Sequence, residues 1–60
     1  MKYEIFNEYY ERGFCKEMSH EEMSRFLHRH LQCVAVDENK KVYATKETSL
    51  FHEYERIEYV

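Results

Sequence analysis

Apolar residues recur at helical spacing most clearly in one part of this chain. In "MSHEEMSRFLHRHLQCV", residues 18 to 34, Met23, Phe26, Leu27, His30 and Val34 fall on one stripe, with Leu31 at its edge. Glu21, Arg25, His28 and Arg29 lie opposite. Ser19 has the character of an N-cap, and Glu22 three residues later completes a capping box. Met18 before the cap and Met23 in the first turn have the spacing of a hydrophobic staple. These signals predict an amphipathic helix over about 20–32.

Elsewhere the period shortens to two. "CVAV" and "VYAT", separated by the polar "DENKK", read as strands over about 33–37 and 41–46 joined as a hairpin. Asn39 is the expected left-handed residue of that turn, because Asn tolerates positive φ. "LFHEYERIEYV" reads as a strand over about 50–59. Its phases are mixed: Phe51, Ile57 and Tyr59 face one way, Leu50, Tyr54 and Val60 the other, which suits apolar contacts on both sides or a bulge. The first third carries two patterns. Tyr3 and Ile5 alternate as in a strand, while Ile5, Phe6, Tyr9 and Tyr10 fit a helical stripe closed by Gly13. The β-propensity of Tyr, Phe and Ile favours strands over about 2–16. The expectation is one α+β domain spanning residues 1–60, a small antiparallel β-sheet with one amphipathic α-helix packed on one face.

Length adds a constraint. A chain of 60 residues hides only about 60% of the surface that its unfolded form exposes, so help from a partner subunit is expected. Two cysteines are too few for a secreted disulfide framework, and no run has signal-peptide or membrane-span character. A cytoplasmic protein with reduced thiols and no membrane association is expected. Phe and Tyr together make up 17% of the chain, more than so small a core absorbs, which places some tyrosines at an interface. Tyr9, Tyr10, Phe14 and His30 are the residues assigned to a homodimer contact.

The chemistry-bearing residues exclude more than they include. Cys15 and Cys33 are far apart, and His28 and His30 diverge on a helix, leaving His30 and Cys33 as the one pair able to share an ion. "HEEMS" lacks the second histidine of the zinc-protease motif. No metal site and no cofactor are expected, and the cysteines read as small buried hydrophobes. With a single Gly there is no phosphate-cradling loop, and the domain is too small for an ordinary substrate cleft. The protein is read as non-catalytic. Two binding readings remain. Arg25, His28 and Arg29, with Lys40 and Lys41, form a basic face suited to nucleic acid or transcription modulation, diluted by Glu21 and Glu22 on a chain of net charge −3. Conversely, Glu53 and Glu55 flank Tyr54 on one side of a strand, about 6.6 Å apart at strand rise and so near the spacing of neighbouring phosphates. Glu4 and Glu8 extend that line if the first strand pairs nearby.

"YYERGFCKEMSHEEMSRFL" resembles a segment of the small uracil-DNA glycosylase inhibitors of Bacillus phages, in which a Tyr-Tyr-Glu run on a strand leads into a Ser-initiated helix. The likeness covers about a third of the chain and is carried by Tyr9, Tyr10, Glu11 and Ser19, with a longer spacing to the helix here. It implies a homodimeric, DNA-mimicking inhibitor of a host DNA-binding enzyme, first of all uracil-DNA glycosylase. It also implies an apolar pocket by the helix that captures a side chain of that enzyme, for which Met18, Met23, Phe26 and Leu27 are the candidates; Glu53 and Glu55, on a strand the resemblance does not reach, are the candidate rim, with Tyr54 between them as packing surface.

Overall fold

The computed structural model describes residues 1–7, 13–48 and 56–60. Five strands and one helix follow the order β1 (Lys2–Asn7), β2 (Phe14–Glu17), α1 (His20–Arg29), β3 (Cys33–Val36), β4 (Val42–Ala44) and β5 (Ile57–Tyr59). They form one sheet in the spatial order β2-β1-β3-β4-β5, with α1 carrying the chain from β2 across to β3. The α+β class with one helix is what the alternating pattern predicts.

Strand rather than helix wins at the start of the chain. Alternation turns Tyr3, Ile5 and Asn7 to one side, where all three are buried. β1 pairs antiparallel with β2, Tyr3 opposite Lys16 and Ile5 opposite Phe14, and with β3, Ile5 opposite Ala35 and Asn7 opposite Cys33. Gly13 approaches β1 so closely that a Cβ there would lie 2.8 Å from Phe6 Cε1 and 2.9 Å from the Ile5 carbonyl oxygen. Only glycine passes at that distance.

The helix begins where the caps predict. Ser19 Oγ accepts the Glu22 N–H at 3.1 Å, and Glu22 Oε1 accepts the Ser19 N–H at 3.1 Å. It stops three residues earlier than expected. His30 leaves helical geometry as the C-cap, and the Cys33 N–H bonds the His30 carbonyl at 2.9 Å, turning the chain into β3. The predicted stripe therefore breaks: His30 is exposed, and Val34 belongs to a strand facing away from the helix. Met18, Met23 and Leu27 pack on Tyr3, Ile5, Cys33, Ala35 and Tyr43 as the main core. A smaller cluster on the other face of the sheet joins Val34 and Ala44 with Phe6, Val42 and Ile57.

Two details depart from expectation. In the β3–β4 hairpin the left-handed residue is Lys40, at φ 66°, not Asn39. Asp37 Oδ1 accepts the N–H groups of Asn39 (2.8 Å) and Lys41 (2.9 Å), and the Lys40 N–H bonds the Asp37 carbonyl, so positive φ falls on the residue after the turn. At the far edge, β5 runs parallel to β4, Val42 opposite Ile57 and Ala44 opposite Tyr59, so the sheet is mixed rather than wholly antiparallel. Residues 45 to 56 supply the length that a parallel return requires.

Candidate functional site

Between α1 and the edge strand β2 lies an open groove of about 260 Å³, lined by Lys16, Met18, Glu22, Arg25, Phe26 and Arg29. Strand and helix periodicity build it together. Lys16 stands opposite Tyr3, whose side is the helix-facing one, so its side chain rises beside α1. Arg25 and Arg29 are one helical turn apart and flank Phe26.

Phe26 is half-buried, and its ring is contacted on more than one side. The Lys16 Nζ sits 5.3 Å from its centroid, and the His30 ring is stacked at 4.4 Å with a 37° tilt. The single carboxylate of the groove, Glu22, is occupied by the helix cap. Its hydrogen bonds from Ser19, followed by the charges of Arg25 and Lys16, hold its pKa below the usual glutamate value. Neither Lys16, Arg25 nor Arg29 has a carboxylate within ion-pair distance among the described residues. Three cations lining one open groove with an aromatic ring, against one carboxylate, favour an anionic partner.

The residues singled out from the sequence are distributed as follows. Phe26 lines the groove, and Met18, 5% exposed, shows one edge there. Met23 and Leu27 are fully buried between helix and sheet, so they support the groove from below. The basic trio splits. Arg25 and Arg29 face the groove, whereas the His28 Nε2–H donates to the Val60 carbonyl at 3.0 Å, on a different cleft with Thr45, Lys46 and Tyr59. Lys40 and Lys41 belong to a third cleft at the hairpin, with Arg56 and Glu58, where Lys41 Nζ pairs with Glu58 at 2.9 Å. Lys16, which sequence reading passed over, takes their place; its alternation with Phe14 and Met18 along an edge strand was the available signal.

Phe14, assigned to a dimer contact, is 42% exposed on β2, and His30 is exposed on the Phe26 ring. Tyr9, Tyr10 and Glu11, and likewise Glu8, Leu50, Phe51, Glu53, Tyr54 and Glu55, lie outside the described residues. The cysteines differ from each other. Cys33 is buried, its Sγ accepting from Asn7 Nδ2 at 3.5 Å and its pKa pushed up by burial, while Cys15 is exposed on β2, against the expectation of burial for both. No group of three or more metal-ligating side chains converges among the described residues. Among those residues, too, no helix is long and apolar enough to cross a membrane.

Set against known protein families, curated proteins and solved structures, the chain matches none of them. The site therefore has to be read from its own chemistry.

Proposed function

We propose that this protein is a non-catalytic binding module that occupies an acidic segment of a partner protein through the α1/β2 groove. The observation that carries this is the convergence of Lys16, Arg25 and Arg29 on a groove lined by Phe26, where the single carboxylate, Glu22, is engaged in the helix cap and leaves the cations in excess. A soft aromatic centre within a cationic rim is the composition of a contact anchored by one ring and steered by charge. Acting as an inhibitor or an adaptor is the expected consequence of such occupancy, and uracil-DNA glycosylase is the named candidate that the family resemblance supplies. DNA mimicry would rest instead on Glu53 and Glu55, because a basic groove does not meet a basic DNA-binding cleft. Homodimerisation through Phe14 and His30 and a cytoplasmic location belong to the same proposal.

A second reading, direct nucleic-acid binding, is favoured by one feature: the tilted Phe26–His30 ring pair lies beside Lys16 at a groove lined by Arg25 and Arg29. The two are separated by titrating a labelled acidic peptide and a labelled oligothymidylate of equal charge into the protein. Tighter binding of the peptide, weakened in Arg25→Glu, supports the protein-binding function. Tighter binding of the oligonucleotide transfers the function to nucleic acid. A uracil-excision assay with this protein in molar excess tests the named enzyme: loss of excision supports the inhibitor assignment, and full activity removes it.

A further inference from the structure

The edge of the sheet beside the groove has a backbone polarity that follows from register. The Met18 N–H bonds the Met1 carbonyl at 3.0 Å, and residues 1 and 18 continue the β1–β2 register in which Tyr3 faces Lys16 and Ile5 faces Phe14. Antiparallel strands direct N–H and C=O of alternate residues to alternate sides. The backbone groups of Phe14, Lys16 and Met18 therefore point inward to β1, and those of Cys15 and Glu17 point outward. Beyond β2 no further strand lies among the described residues, and all four of its residues are exposed. The same phase can be checked elsewhere in the sheet. The Asp37 N–H bonds the Lys41 carbonyl at 3.0 Å, as the β3–β4 register demands.

Side chains and backbone point to one ligand geometry. Lys16 rises from β2 on the helix side, so the groove runs alongside the outward-pointing groups of Cys15 and Glu17. A strand laid against β2 would send every second side chain toward Lys16, Arg25, Arg29 and Phe26. We infer that the occupant of this groove is an extended acidic segment of a partner protein, which adds a sixth strand at β2 through Cys15 and Glu17. Its alternate carboxylates meet Lys16, Arg25 and Arg29. This inference rests on the protein-binding function proposed above and names the binding mode. Backbone pairing supplies affinity in such complexes, and the alternate side chains supply selectivity. An uncovered edge is otherwise a hazard for a small protein, and Lys16 and Glu17 on β2 are the charges that discourage unspecific pairing.

The test uses the whole protein and a labelled peptide about seven residues long, enough at roughly 3.3 Å per residue to pass β2, with Glu alternating with Thr. A matching peptide carries N-methyl groups on alternate amides, which removes ladder donors and keeps the charge. The expected result is saturable binding of the first peptide and at least about tenfold weaker binding of the second, the loss of roughly one backbone hydrogen bond. Cys15→Pro should also abolish binding without unfolding, since the Cys15 N–H serves no bond within the sheet and edge strands accept proline at such positions. Should that variant misfold, the N-methyl comparison still decides. Equal binding of both peptides overturns strand addition and leaves the acidic-partner function standing. Binding of both that is indifferent to Arg25→Glu and Arg29→Glu overturns that function as well. No saturation by the unmodified peptide, tighter binding of oligothymidylate, or sedimentation as a dimer that Cys15→Pro dissolves each overturns the assignment of the edge to an acidic segment.

Discussion

Tyr43→Phe isolates one hydrogen bond on which the β3–β4 hairpin depends. The Tyr43 hydroxyl donates to Asp37 Oδ2 at 3.0 Å, and each residue is only 6% exposed. The substitution keeps the ring in its edge-to-face contacts with Tyr3 (5.9 Å) and His20 (5.5 Å). A hydrogen bond to a charged acceptor is worth about 1.5–3 kcal/mol. A domain of this length has a total stability of roughly 3–9 kcal/mol, so the loss is a large fraction of it. The melting temperature should fall by on the order of 10 °C. Asp37→Asn should cost less, about 1 kcal/mol, because Oδ1 still accepts from Asn39 and Lys41 while the phenol oxygen accepts from the amide. Asp37→Ala removes all three bonds and strands the hydroxyl, costing about 3–5 kcal/mol. Urea denaturation followed by circular dichroism of the two milder variants and their double mutant measures the coupling. An unchanged midpoint for Tyr43→Phe, or strict additivity, refutes the reasoning.

The same pair should make the stability of the fold depend on pH at both ends of the range. Burial pushes the Asp37 carboxyl up, but the Lys41 N–H, the Tyr43 hydroxyl, the Asn39 N–H and the Lys41 charge together hold it below its ordinary 3.8. Its contribution is present above that value and disappears as pH falls through the folded pKa. Tyr43 is pushed up to about 12, by burial first and then by its bond to Asp37. That contribution is full below pH 10, the ordinary value, and is lost as pH rises toward 12, so the part of the tyrosinate absorbance that Tyr43→Phe removes should appear together with unfolding. Glu22→Gln should lower the melting temperature at pH 7, with the difference closing as pH drops below the ordinary glutamate pKa of 4.5, since the native carboxylate is held lower. Gly13→Ala should cost about 1–3 kcal/mol through overpacking on Phe6 and the Ile5 carbonyl, read as a shifted denaturation midpoint. Lys40→Gly should gain up to about 1 kcal/mol by removing a side chain from positive φ, and a lower midpoint would contradict the turn geometry. Met23→Ala should destabilise by about 2–5 kcal/mol, whereas Phe26→Ala should spare the fold and weaken peptide binding.

Local signals in the sequence proved readable where one interaction dominates. The Ser19 and Glu22 box starts α1 because both halves of the bond lie three residues apart. The alternation of Tyr3 and Ile5 identifies β1 because only a strand buries both without burying Glu4. Helix periodicity, by contrast, ran on past Arg29, since nothing in "HLQC" marks the stop; the turn depends on the Cys33 N–H reaching the His30 carbonyl. Asn39 was the natural choice for positive φ on propensity, yet the Asp37 side chain bonds two later amides and shifts the strained residue to Lys40. The parallel pairing of β5 was illegible for another reason, because strand direction depends on the path of the connection and not on the strand's own residues. The groove was half visible. Helix spacing put Arg25 and Arg29 on one face but Phe26 on the opposite stripe, and Lys16 joins them only through the β1–β2 register.

The order β2-β1-β3-β4-β5 also grades the sheet by how readily its parts open. β1 and β3 have a partner strand on each side and apolar clusters on both faces, so their amide protons should exchange with solvent only when the whole domain unfolds. Among the described residues β2 has one partner strand and four exposed residues, so its amides should open before those of β1 and β3. The surface most suited to receiving another chain is therefore one of the two edges of the sheet, β2 and β5, that should open before its interior strands. Filling it would turn an edge into an interior strand and carry the slow-exchanging region outward as far as the amides of Cys15 and Glu17.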